Sequence, residues 1–166
     1  MYRKHMRRGL AETMLGRGVI VAEGISEQAA LAAVAAKMEL ADKLYYPLDL
    51  SGVTIFPVEG DGSMPSFGAF FRTLGLKTYA FYDKKKRKPE EDQKLADNFD
   101  IPNETAYAGI ELLLVSEIPI DRQWQFLESL RQSGEQGLLG IPPMRPADPA
   151  VRDLLTRALK SNKGNG

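Results

Sequence analysis

Residues 18–31, Gly-Val-Ile-Val-Ala-Glu-Gly-Ile-Ser-Glu-Gln-Ala-Ala-Leu, constrain this chain more than any other stretch. The unbroken apolar run Val19, Ile20, Val21, Ala22 has the character of a buried strand. Gly24 permits a tight turn, and Ser26 suits the cap of an Ala-rich helix over 26–41. A buried strand that feeds such a helix predicts a crossover, a parallel sheet and an α/β fold. Two carboxylates stand at the junction. Glu23 ends the strand and Glu27 falls in the first helical turn, so both reach the crevice where open α/β sheets bind ligands. Two readings fit them. Like charges held close repel unless a cation lies between them or one takes up a proton, which makes the pair a divalent-metal site. Alternatively, Glu27 is a first-turn acid favoured by the helix dipole, and Glu23 faces water.

Ahead of this unit, residues 2–15 read as a helix with Met6, Leu10 and Met14 on one face, broken at Gly16-Arg17-Gly18. Behind it, Val53-Thr54-Ile55-Phe56 reads as a second strand. It leads through Glu59-Gly60-Asp61-Gly62-Ser63 into a helix that opens at Pro65 and carries Phe67, Phe70, Phe71 and Leu74. That glycine-rich turn has neither the lysine of a P-loop nor the spacing of a dinucleotide fingerprint, so no nucleotide site is predicted. Asp61 is either a ligand at the sheet edge or an ordinary turn aspartate. Thr78-Tyr79-Ala80-Phe81-Tyr82 is a third strand, ending at Asp83. Three successive strand ends thus carry acids, in the arrangement a two-metal centre needs.

Asp83 is followed by Lys84-Lys85-Lys86-Arg87-Lys88 and then Glu90-Glu91-Asp92, either a phosphate-holding segment or a solvated loop. Residues 94–107 are less clear, with Asn98-Phe99-Asp100-Ile101-Pro102 suggesting a short strand or a loop. Glu111 opens an apolar helix that stops at Pro119. An amphipathic helix over 121–132 places Trp124 in a core, a Gly- and Pro-rich stretch covers 134–149, and a last helix starts at Asp148-Pro149.

Composition narrows the chemistry. With 166 residues the chain fits one domain. Lys plus Arg and Asp plus Glu are balanced at 22 each, so any affinity for nucleic acid has to come from local patches. The absence of cysteine and the single His5 leave only oxygen ligands, hence magnesium or manganese rather than zinc. No apolar run approaches the roughly 20 residues that span a bilayer, and no signal-peptide core follows the basic start. A soluble, cytoplasmic protein is expected.

Several segments together, Gly-Val-Ile-Val-Ala-Glu-Gly, Leu-Gly-Leu-Lys-Thr-Tyr-Ala-Phe-Tyr-Asp, Tyr-Ala-Gly-Ile-Glu-Leu-Leu and Leu-Lys-Ser-Asn-Lys-Gly, resemble the C-terminal nuclease region of OLD-family (overcoming lysogenisation defect) proteins. Within them, Val-Ile-Val-Ala-Glu-Gly and Phe-Tyr-Asp resemble the Toprim domain of topoisomerases, primases and nucleases. The resemblance implies a Toprim-like Rossmannoid core, with a central mainly parallel sheet flanked by helices and a C-terminal helical elaboration over about 112–160. The chain would be a single catalytic domain over 1–166. It would also be a C-terminal fragment of a longer protein whose N-terminal ATPase domain supplies any homo-oligomer contact. The implied activity is a metal-dependent endonuclease acting on DNA, with Mg2+ or Mn2+ and two ions.

By position, Glu23 matches the first acid of the Toprim pattern, Glu27 an acid one turn later, and Asp83 the first aspartate of Asp-x-Asp. Lys85 stands where the second aspartate belongs, a departure that removes one ligand. Asp61 and Glu111 are the candidate replacements, and Lys163 matches a basic residue that offsets charge on the scissile phosphate, unless it is simply a terminal lysine. Two ions roughly 3.5 to 4 Å apart would activate a water and support the leaving oxygen, with no need of a tyrosine nucleophile. The competing expectations are a degenerate Toprim module that only binds nucleic acid or a partner, and a metal-dependent phosphatase-like α/β domain.

Overall fold

A computed structural model describes residues 2–41, 46–58, 60–134 and 140–161, without the side chains of residues 2–7 and Asp61. The chain divides into two compact units, Met1–Ala106 and Tyr107–Gly166.

The first unit is built on a four-stranded sheet of order β2-β1-β3-β4. Its strands are β1 (Gly18–Ala22), β2 (Val53–Pro57), β3 (Lys77–Tyr82) and β4 (Ile101–Glu104), and every pairing is parallel. The expected α/β architecture is therefore present. Val21 pairs with Phe56 on one side and Ala80 on the other, so the alternation of the pleat puts Val19, Val21, Phe56, Ala80 and Tyr82 on one face. That face is the core. Helix α3 (Met64–Thr73) lays Met64, Phe67 and Phe71 over it, and α4 (Pro89–Asn98) adds Leu95, with Phe99 just beyond its end. The rings interlock: Phe56 meets Phe71 edge-on at 5.3 Å between centroids and Phe67 at 5.1 Å.

Helix α1 (Tyr2–Met14) forms as its pattern predicts but with a different inward face. Leu10 packs on the core and Thr13 is fully buried, whereas Met14 is 46% exposed. Burying Thr13 costs little, because its hydroxyl donates to Gly9 O at 2.7 Å. Helix α2 (Ile25–Ala41) begins one residue before Ser26, which therefore lies inside the first turn rather than at the cap. On the sheet it is fastened by Gln28 Nε2, which donates to Ile55 O at 3.1 Å.

The basic run 84–88 has no regular structure, as expected of a solvated loop, and α4 starts directly after it at Pro89. Proline at the first helical position and Glu90, Glu91 and Asp92 in the first turn favour that start. Glu91 also accepts the Lys88 N–H at 3.0 Å. Short and exposed, β4 is an edge strand that tolerates Pro102.

Asp100 joins β4 to β3. Its Oδ2 accepts Thr78 N–H at 2.8 Å and the Thr78 hydroxyl at 3.0 Å. The Thr78 backbone hydrogen bond is the main cause that holds the Asp100 carboxyl below its ordinary pKa, helped by the hydroxyl, Lys77 and Arg72 against the opposing effect of burial. A carboxylate with a lowered folded pKa contributes stability above its unfolded pKa, lost as pH falls through the folded value. Asp100→Asn should therefore flatten the fall in stability below about pH 4, as read from urea melts across the acid range. An unchanged acid limb would contradict that role.

The second unit packs three helices, α5 (Ile110–Glu117), α6 (Ile120–Ser133) and α7 (Asp148–Ser161), around Trp124, Leu127, Val151, Leu154 and Leu155. Trp124 is core, as expected. Pro119 separates α5 from α6, and the freed carbonyls at the α5 end are taken up by side chains. Gln123 Nε2 donates to Val115 O at 2.8 Å and Ile118 O at 2.7 Å, and Arg152 donates to Val115 O at 2.8 Å. Among the described residues no helix is long and apolar enough to cross a membrane.

Candidate metal centre at the carboxyl edge of the sheet

The ends of β1, β2 and β3 are tied together by main-chain bonds that continue the ladder. Glu23 N–H donates to Phe81 O at 3.2 Å, Val58 N–H to Ala22 O at 2.9 Å, and Gly60 N–H to Glu23 O at 3.0 Å. Glu23 therefore stands between the loop that leaves β2 and the loop that leaves β3. Its Oε2 accepts Asp83 N–H at 3.3 Å, which fixes the two acidic residues side by side.

Glu27 and Asp83 are both buried, at 7% and 8% exposure. No hydrogen bond or ion pair reaches the Glu27 carboxylate from the described residues. Instead it folds back over the turn. A Cβ at Gly24 would come within 2.9 Å of Glu27 Oε2, so the glycine leaves the room that the carboxylate uses. A carboxylate with no described partner has both oxygens to offer a cation.

The basic segment after Asp83 is not uniformly solvated. Lys84, Lys85, Lys86 and Lys88 are exposed, and Arg87 alone of the run is partly buried. Lys85 Nζ pairs with Glu23 Oε1. Arg87, only 4% exposed along its side chain, donates to Asp83 O at 2.8 Å and pairs with Glu104. Its guanidinium also lies 4.8 Å from the Tyr82 ring centroid. Burial pushes the Tyr82 phenol above its ordinary pKa, and the Glu104 carboxylate adds to this against Arg87. That makes Tyr82 a poor nucleophile.

Of the residues singled out in the sequence, Glu23, Glu27 and Asp83 come to the same edge of the sheet. The Asp61 backbone lies in a 3-10 turn at that edge (Asp61–Ser63), but its side chain lies outside the described residues. Glu111 is in the first turn of α5, in the second unit. Lys163 also lies outside the described residues. Among those described, no three Asp, Glu or His side chains converge on a single point. The fit to a metal is one of donor chemistry: oxygen donors only, one of them a carboxylate with no described partner. Magnesium accepts such a site, since it keeps several waters and takes few protein carboxylates. Sequence reasoning missed the burial of Arg87 and the pairing of Lys85 with Glu23, which no local pattern signals.

Residues 14–84 match the family model described as overcoming lysogenization defect protein-like, TOPRIM domain. That span holds Glu23, Glu27, Asp61 and Asp83 and stops one residue before Lys85. No curated protein and no solved structure matches the chain.

Proposed function

We propose, for a chain whose residues 14–84 are a Toprim domain of the OLD-like family and carry its nucleic-acid-related, metal-binding character, a Mg2+- or Mn2+-dependent DNA endonuclease. The observation that carries this reading is the Glu27 carboxylate, which has no partner among the described residues and belongs to the strand edge that also presents Glu23 and Asp83. These three residues would hold the metal. When bound, a divalent cation supplies positive charge to a phosphodiester and lowers the pKa of the attacking water.

The chain's own residues do the rest. Arg87 holds the Asp83 main chain from behind, which fixes the start of the basic segment. The exposed Lys84, Lys86 and Lys88 offer cations to the phosphate backbone beside the acids, a local patch on a chain with no net charge. With its phenol pushed upward, Tyr82 stays protonated and leaves attack to water.

One observation favours a second reading. The Lys85–Glu23 pair already supplies a cation to one of the three acids, as a module that binds nucleic acid without cutting it would tolerate. Supercoiled plasmid separates the two. An endonuclease gives nicked and linear DNA with magnesium or manganese and none with chelator. A folded protein that retards the plasmid but leaves it intact under every metal is the binding module. Hydrolysis of a small phosphate monoester without plasmid cutting would point to a phosphatase.

A further inference from the structure

Both carboxylate oxygens of Glu23 are already engaged. Oε1 carries the Lys85 ammonium, and Oε2 accepts the Asp83 N–H at 3.3 Å. The Glu23 side chain is 14% exposed and that of Lys85 41%, so the ammonium approaches from the solvent side and covers the carboxylate. Glu27, across the same edge, has no such companion among the described residues. We propose that Lys85 is a built-in counter-ion that holds Glu23 until a divalent cation displaces it, and that this competition sets the metal affinity of the site.

The inference rests on the reading of Glu23, Glu27 and Asp83 as metal ligands. A carboxylate that gives one oxygen to an ammonium has a reduced share of charge to offer a metal. The incoming cation also meets a like charge at contact distance, a repulsion the surrounding protein screens less than bulk water does. Lys85 follows β3 in an extended segment without regular structure, so its side chain can withdraw without disturbing the sheet. Neighbouring Lys84 is also exposed, carries the same charge and makes no ion pair with a described acid, which makes it the natural control.

Titration of Mn2+, followed by the EPR signal of the free ion, tests this directly on the whole chain. Lys85→Ala should bind Mn2+ about tenfold more tightly than wild type, roughly 1.4 kcal/mol. Lys85→Gln, which keeps the stem and a donor but not the charge, should move the same way even if alanine perturbs the fold. Lys84→Ala, with the same change in net charge, should shift the affinity less than about threefold, as long-range screening dictates. Equal or weaker binding by both Lys85 variants overturns the proposal, and so does a Lys84→Ala effect of the same size or an absence of binding throughout. The nuclease reading fails separately: tighter binding in Lys85→Ala with no plasmid cutting by any form keeps the counter-ion and removes the nuclease. Metal-dependent cutting by wild type with unchanged Mn2+ affinity in both variants does the reverse.

Discussion

Glu27→Gln should lower metal-dependent plasmid conversion by about a hundred- to a thousandfold, as loss of a ligand to the cation that would meet transition-state charge. It should not weaken the fold. Glutamine has nearly the same shape as glutamate, so it fits the space above Gly24, where a Cβ would stand 2.9 Å from Glu27 Oε2. What it removes is a charge, close to two further acids, that no described residue pairs with or hydrogen-bonds. In chelator the variant should therefore be as stable as wild type or more so, by about 0.5–2 kcal/mol, as other site residues held for function rather than stability behave. Thermal melts in EDTA beside plasmid assays in magnesium read the two effects separately. Activity and stability falling together would make Glu27 a structural acid, and the metal centre would lose its best-placed ligand.

The part of this site that was legible in the sequence is the part that local chemistry dictates. An apolar run, a glycine and an Ala-rich helix leave few alternatives to strand, turn and crossover, and Glu23, Glu27 and Asp83 fall where that geometry puts them. The same logic found β2, α3 and the three helices of the second unit. It failed where two local signals compete. Over 89–98 the polar composition gives no clear periodicity, while Pro89 and the three acids after it read as a helix start, and the second signal prevails once Leu95 and Phe99 have a core to join. It failed again at Met14, because helical spacing places an apolar stripe only to within one position. Thr13, whose hydroxyl finds Gly9 O, takes the inward place. The pairing of Lys85 with Glu23 links residues 62 apart in sequence and follows from the β1–β3 register, which no window of sequence contains.

The same substitution, glycine to alanine, should have opposite signs at two helical positions. Gly68→Ala in α3 should destabilise the first unit by about 2 kcal/mol net, since the closest atom is backbone. Alanine improves helix propensity by about 1 kcal/mol over glycine, but the added Cβ would stand 2.5 Å from Asn98 O and 2.7 and 2.9 Å from the Phe99 ring atoms Cζ and Cε1. Asn98 O is backbone at the end of α4 and Phe99 is 3% exposed, so neither can step aside cheaply. Overpacking of this kind costs about 1–3 kcal/mol with side-chain neighbours and more where a backbone must move. For a chain of this size the net loss corresponds to a Tm lower by about 4–8 °C. At Gly9 in α1 an added Cβ meets nothing within 4 Å, so the propensity gain stands alone and Tm should rise by about 2–4 °C. Opposite shifts in parallel melts would establish that α3 and the α4 terminus touch at Gly68, the contact that seats Phe99 beneath the sheet. A rise at both positions would mean that α4 packs elsewhere, and the support behind Arg87 and the Asp83 loop would have to be redrawn with it.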